Sequence, residues 1–149
     1  MPYWFDGNNL IGQSAALSRS RPHLRQEFLS TLRAYYRAGG GRFLVYFDGD
    51  DTAQTMPPAG IRVRYSAPLS ADEAIVHRLR EISRPQEVIV VSNDRELQNR
   101  CRNSRAKVLD WHEFTSKMRS RKMRQSRQRD QEEPVDVEDW IHYFGLEEK

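Results

Sequence analysis

Four aspartates, Asp6, Asp48, Asp72 and Asp94, carry the chemistry this sequence offers. Asp6 closes the apolar run Tyr3-Trp4-Phe5 and is followed by Gly7-Asn8-Asn9. Asp48 closes Phe43-Leu44-Val45-Tyr46-Phe47, and Asp94 follows Val88-Ile89-Val90-Val91 by way of Ser92-Asn93. Asp72 stands in the first turn of an expected helix, after Ser70-Ala71. Short apolar runs that end in polar residues read as buried parallel strands whose C-terminal ends carry chemistry. In an open α/β sheet, ligands bind outside those ends, where strand order reverses. Carboxylates gathered there repel one another, and some must hold protons unless a cation intervenes. Mg²⁺ suits such a site, because it takes oxygen ligands, keeps several waters and is commonly shared with a substrate phosphate. One ion or a pair can lower the pKa of water and stabilise both oxygens of an in-line phosphoryl displacement.

Each acid also has a plainer explanation. Asp6-Gly7 can simply end a strand, and Asp48-Gly49 is a common turn dipeptide. Asp72 is favoured by the dipole of its helix, and Asp94 reads equally as an N-cap. The conjunction is more specific than any member, since all four fall on one expected edge. Weaker candidates have stronger plain readings. Glu73 is explained by a capping box, Arg95 by a solvated surface and Asp110 by turn chemistry. Asp50 and Asp51 read as solvated loop acids. No histidine has a metal-ligand spacing partner, so zinc is not expected.

The elements that position these acids follow from periodicity. Gly12 to Arg19 reads as a loop. Ser20 and Pro22 open a helix whose apolar face is Leu24, Phe28, Leu32 and Tyr35 or Tyr36, closed by Gly39-Gly40-Gly41. Residues 49–60 read as an exposed loop, and Ile61-Arg62-Val63-Arg64-Tyr65 as a half-exposed edge strand. Ser70-Ala71-Asp72-Glu73 is a capping box, with the Ser bonding forward and the Glu back. Its helix buries Ala71, Ile75, Leu79 and Ile82 and stops at Ser83-Arg84-Pro85. A helix over 95–103, a strand at Lys107-Val108-Leu109 and a helix over Trp111 to Met118 complete the pattern. Alternating strands and helices predict a single α/β domain with a parallel sheet.

At 149 residues the chain fits one domain with a real core. It has no apolar run long enough for a membrane span and no basic-then-apolar leader, so no signal peptide is expected. The single cysteine, Cys101, cannot form an internal disulfide and reads as a packing residue, which fits a reducing cytoplasm. The net charge of +3 hides an asymmetry: residues 117–129 hold seven Lys or Arg and no acid, while 130–149 hold eight acids and one Lys. The compact domain is expected over 1–117, with 118–149 a charged C-terminal tail, either mobile or a solvated helix extension. Arg119, Arg121, Lys122 and Arg124 lie in the basic block, whose composition suits salt-dependent contact with phosphate backbones. The acidic-aromatic stretch around Trp140-Ile141-His142-Tyr143-Phe144 reads as a docking peptide.

Asp6-Gly7-Asn8-Asn9-Leu10, Phe47-Asp48-Gly49, Ser70-Ala71-Asp72-Glu73 and Ser92-Asn93-Asp94-Arg95-Glu96-Leu97 resemble the motifs of NYN domains. The likeness is to the YacP-like branch within the PIN-like nuclease superfamily, over roughly residues 1–117. The resemblance implies a Rossmann-like three-layer fold with a mainly parallel central sheet. It also implies a metal-dependent endoribonuclease using Mg²⁺ or Mn²⁺, with the family's acidic positions at Asp6, Asp48, Asp72 and Asp94. Asn9 and Asn93 match polar positions of the first and last motifs, and Asn9 is expected to orient a ligand or phosphate. YacP-like proteins are associated with ribosomes and with cleavage of translated messenger RNA, so RNA and the ribosome are the implied partners.

Rival readings remain open at this point. Asp48-Gly49-Asp50-Asp51-Thr52 looks like the motif of haloacid-dehalogenase-type phosphatases, although that motif normally follows the first strand. A non-catalytic RNA- or ribosome-binding adaptor would keep the acids as structural groups. A toxin-like PIN nuclease held by an inhibitor would share every motif.

Overall fold

The computed structural model describes residues 1–14, 23–36, 42–50 and 55–132. Ser20, Pro22, Gly39 to Gly41, Asp51 and the acidic-aromatic stretch lie outside the described residues. The elements in chain order are β1 (Tyr3–Asp6), α1 (Gly7–Ser14), α2 (His23–Tyr36), β2 (Phe43–Phe47), β3 (Ile61–Tyr65), α3 (Ala71–Glu81), β4 (Ile89–Val91), α4 (Arg95–Asn103), β5 (Lys107–Leu109) and α5 (Trp111–Glu132). A 3₁₀ turn at Pro85–Glu87 leads into β4. The five strands form one sheet in the order β3-β2-β1-β4-β5, every pair parallel. From β1 the chain builds outward through β2 and β3, then returns to β1's other side for β4 and β5. The reversal point lies between β1 and β4, beside Asp6 and the Ser92-Asn93-Asp94 segment.

Alternation along the strands sorts the core into two layers. Tyr3, Phe5, Phe43, Val45, Phe47, Ile89 and Val91 face Leu10 and Ile11 of α1, Leu29 and Leu32 of α2, and Phe114 and Met118 of α5. Trp4, Tyr46 and Val90 face Ala71, Ile75, Val76 and Leu79 of α3 with Leu97 and Cys101 of α4. The first layer is held by rings. Phe114 meets Phe5 edge-on with centroids 5.1 Å apart and also contacts Tyr3, Phe43, Tyr35 and Trp111. Such edge-to-face pairs add about 0.5–1.5 kcal/mol each beyond the area they bury. The result is the expected three-layer α/β fold with a parallel sheet.

Four details differ from expectation. The loop expected from Gly12 begins inside α1, which starts directly after β1 at Gly7. Gly-Asn-Asn is a poor helix opening by propensity, but burial of Leu10 and Ile11 overrides it. Gly7 has a packing reason: a Cβ there would lie 2.5 Å from a ring carbon of Phe47. Second, the capping box of α3 is half made. Ser70 Oγ accepts from the Glu73 amide at 3.3 Å, but the hydroxyl then donates to Asp72 and the expected bond back from Glu73 is not formed. Third, Ile82 caps α3 half-buried, and Val76 takes the fourth buried place.

The fourth difference is the length of α5. The helix runs through Met118 for 22 residues, to Glu132. No Gly or Pro falls within it, and its Lys, Arg, Gln and Met residues are good helix formers. Its start is a reciprocal capping box: the Glu113 amide bonds to Asp110 Oδ1 at 2.7 Å, and the Asp110 amide to Glu113 Oε1 at 2.8 Å. Beyond Met118 the helix carries Arg119, Lys122, Met123 and Arg124 exposed, as a solvated extension.

Candidate active site

Asp6, Asp48, Asp72 and Asp94 line one pocket of about 360 Å³ at the C-terminal edge of the sheet, together with Asn8 and Asn9. Each carboxylate is held by one oxygen. Asp6 Oδ2 accepts from Ser92 Oγ at 3.1 Å. Asp48 Oδ1 accepts from the Ala71 amide at the start of α3, at 2.6 Å. Asp72 Oδ1 accepts from Ser70 Oγ, and Asp94 Oδ1 caps α4 by accepting from the Glu96 amide at 3.0 Å. The second oxygen of each makes no hydrogen bond to a described residue. One edge of the sheet therefore presents four anchored carboxylates, each with an oxygen to spare.

Asp6 feels this crowding most. Only 5% exposed, its carboxyl is pushed up to about 7. Burial is the main cause; the Ser92 hydroxyl opposes it, and the charges of Asp48, Asp72 and Asp94 add to the rise. A carboxyl pushed toward neutrality by burial, with other acids beside it, suits a cation. The carboxylates offer only hard oxygens, the ligand type that suits a hard divalent cation. Among the described residues, no three His, Cys, Asp or Glu side chains form a ready-made metal cage. An ion at this edge would therefore have to take part of its coordination from water, as Mg²⁺ commonly does.

Carboxamides tie the loops together. Asn8 Oδ1 accepts from the Asp48 amide at 2.7 Å and joins α1 to the end of β2. Asn9 Oδ1 accepts from the Asn93 amide at 2.9 Å, crossing the reversal point. Ser92, fully buried, is the hub: its oxygen accepts from the Asp94 amide at 3.0 Å while its proton has two acceptors, Asp6 at 3.1 Å and Asn9 at 3.3 Å. One proton serves one acceptor at a time, and the shorter contact goes to Asp6. The Nδ2 donors of Asn8 and Asn9 bond to no described residue, and both residues line the pocket. Arg25 of α2 brings a cation beside Asp48, donating to its carbonyl at 2.9 Å while stacking 4.9 Å from the Phe47 ring centre.

The other sequence candidates lie elsewhere. Asn93 does not line the pocket; its Oδ1 accepts from the Trp111 amide at 2.9 Å and fastens the start of α5. Arg95 is exposed on the first turn of α4, and Glu73 and Asp50 are exposed outside the lining. Arg119, Arg121, Lys122 and Arg124 sit on α5, away from the acids. Asp110 caps α5. Cys101 is fully buried in α4, and burial pushes its thiol up to about 12, so it is a packing residue. Ser92, Asn8 and Arg25 were not singled out from sequence. Ser92 stood within the quoted motif, whereas Arg25 had no local signal.

A sequence model of the YacP-like NYN domain matches residues 4–142. The chain belongs to the YacP-like NYN domain family. The match runs past residue 117 and takes in all of α5. The structure is similar to two crystal structures of Rae1 (YacP) from Bacillus subtilis. One, of a single-substitution mutant, gives a TM-score of 0.61 at 20% identity, covering 92% of this chain and 87% of that one. The other gives 0.62 at 18% identity, covering 88% and 80%. At this identity the likeness concerns the fold alone. The comparison with curated proteins yields no match. Membership in a family of nuclease-like domains leaves the haloacid-dehalogenase reading without support, and exposed Asp50 is not among the residues that line the pocket.

Proposed function

We propose that this YacP-like NYN domain is a metal-dependent endoribonuclease. The observation that carries the reading is the pocket itself: Asp6, Asp48, Asp72 and Asp94 arrive from four elements, each pinned by one oxygen with the other free. Those free oxygens would hold Mg²⁺ or Mn²⁺, which supplies charge neutralisation for a phosphodiester and acidifies water. The chain's own groups do the positioning. Ser92 fixes Asp6, the Ala71 amide fixes Asp48, and the spare amides of Asn8 and Asn9 are placed to donate to phosphate oxygens. Asp6, held near neutral pH until a cation arrives, couples proton release to ion binding.

RNA is the substrate the family resemblance implies, and the exposed cations of α5 suit it: Arg119, Lys122 and Arg124 offer phosphate contacts without any core duty. Messenger RNA engaged on the ribosome is the finer reading, with cytoplasmic location following from it. Among the described residues no helix is long and apolar enough to cross a membrane.

One observation favours a second reading. Asp48 and Asp94 already satisfy helix amides, as structural acids in a non-catalytic RNA-binding adaptor would. Incubating wild type and Asp94→Asn with single-stranded and structured RNA, in Mg²⁺, Mn²⁺ or EDTA and with or without ribosomes, separates the two. Cleavage that requires both metal and Asp94 is expected. RNA bound but intact in every arm would establish the adaptor.

A further inference from the structure

A larger cleft, about 700 Å³, opens at the opposite, N-terminal edge of the sheet. Its walls include Trp4, Leu44 and Ile82 together with Arg42, Arg62 and Arg84. Register explains the grouping. Trp4, Leu44 and Arg62 stand abreast across β1, β2 and β3, so their side chains leave the same face of the sheet. Arg42, two residues before Leu44, shares that face, and the segment after α3 adds Arg84. We propose that this cleft is a second RNA subsite, seating a base on its apolar floor and the flanking phosphates on Arg42, Arg62 and Arg84. The inference rests on the proposed function only for RNA as the ligand, and on this cleft alone for its place.

Charge points to an anion. Arg42 and Arg62 make no ion pair with a described carboxylate, and Arg84 has only an exposed contact to Glu87 at 3.1 Å. Exposed pairs of that kind contribute about 0–1 kcal/mol, so Arg84 can leave it for a phosphate. Charges on an edge strand guard against strand addition, which accounts for Arg62 and Arg64 on β3. It does not account for Arg42 and Arg84, which come from other elements and converge on the same cleft.

Continuity points to a strand of RNA in place of a free nucleotide. Arg64 follows Arg62 on the same face of β3, so cations run from the cleft toward the carboxylate edge. β3 has five residues, roughly 16 Å of path, a few nucleotides of extended chain. Beside that path lies the Tyr46 hydroxyl, buried without a hydrogen-bond partner among the described residues. Burial pushes this phenol up, while the charges of Arg64 and Arg78 oppose the rise, which places both cations near it. Past β3 the chain turns through Ser66 to Ser70 and Asp72 of the catalytic pocket. One surface thus joins the two sites, with bases able to stack and phosphates to pair along it.

The test measures affinity for an unstructured dodecanucleotide RNA across a salt series, in EDTA so that metal-dependent cleavage plays no part. Wild type is compared with Arg42→Ala/Arg62→Ala, both exposed positions, and with Arg102→Ala on α4 as the control. The double variant should lose roughly tenfold in affinity, and its salt slope should shrink by about 1.4, for two phosphate contacts on a single strand. Arg102→Ala should match wild type. Thiouridine-containing RNA should crosslink to the segments 60–64 or 82–88. An unchanged slope in the double variant, crosslinks found only elsewhere, or a wild type that does not bind would each overturn the proposal. So would adenosine monophosphate binding as tightly as the dodecanucleotide, which would make the cleft a mononucleotide site. No readout depends on turnover. Failure of cleavage with every metal would therefore remove the nuclease reading and leave this one standing.

Discussion

The two edges of the sheet handle charge in opposite ways. At the C-terminal edge, carboxylates are fastened by protein groups: exposed Asp48 to a helix amide, half-buried Asp94 as a cap, buried Asp6 to a buried serine. At the N-terminal edge, arginines stand in solvent and, among the described residues, have no carboxylate partner or only a loose one. Chemistry needs groups fixed within fractions of an ångström, so its residues are held by backbone and buried hydroxyls. Adhesion to a flexible polyanion needs only charge within reach, and long solvated side chains provide it. The difference teaches which substitutions should abolish turnover and which should merely loosen the grip.

The sharpest break should come from Asp94→Asn. Asparagine caps a helix as well as aspartate does, so α4 should survive. Turnover should nevertheless fall on the order of a hundredfold to a thousandfold, the usual cost of removing one positioned electrostatic group. Steady-state cleavage set against an unchanged far-UV spectrum would check it, and full activity would remove Asp94 from the site.

Next in size is a pH effect on the metal-free protein. Asp6 keeps its proton in the folded state up to about pH 7, whereas an unfolded aspartate ionises near 3.8. The folded state therefore binds more protons between those values, and stability falls as pH rises through that window. Full expression of the shift is worth at most about 4 kcal/mol. Denaturant midpoints in EDTA should decline from pH 4 to pH 8, the decline should flatten in Asp6→Asn, and Mg²⁺ should restore stability at the upper end. A flat profile for wild type would mean that neither burial nor the neighbouring acids raise Asp6.

Ser92→Ala should matter less. It leaves all four acids in place but frees Asp6 and the Asp94 amide, a supporting contact of the kind that costs roughly 10–100-fold in metal affinity. Titration with Mn²⁺, read by calorimetry, would measure it. Smallest of all should be the effect of Arg119→Ala/Lys122→Ala on α5. Turnover at low salt should be near wild type, while the salt slope of RNA binding drops by about 1.4. A large loss of turnover there would erase the division between a fastened edge and a loose periphery.

What could be read from sequence follows the same division. Asp6, Asp48 and Asp94 were legible because each closes an apolar run, and Asp72 because a capping serine precedes it. α4 and β5 were found at their observed bounds, since Asp94, Gly-free helical spacing and a short apolar run mark them clearly. α1 was missed because its opening residues favour turns and only burial of Leu10 and Ile11 makes it helical. α5 was cut short because its later turns have no apolar stripe, and the Asp110–Glu113 box that starts it was not recognised. Asn93 was read as a polar motif position, and its Oδ1 accepts from a backbone amide 18 residues on. The arginine cleft could not be seen at all: Arg42, Arg62 and Arg84 become neighbours only through strand register.

Gly7 carries a consequence of another sort. It touches no substrate, yet a single methyl at this position would collide with the Phe47 ring, itself fully buried, and crowd the Tyr46 carbonyl at 3.0 Å. Relief would have to come from moving the junction that sets Asp6, Asn8 and Asn9. In a genetic screen for loss of function, Gly7→Ala should therefore surface alongside the aspartates. To a geneticist, an invisible residue would look like part of the active site.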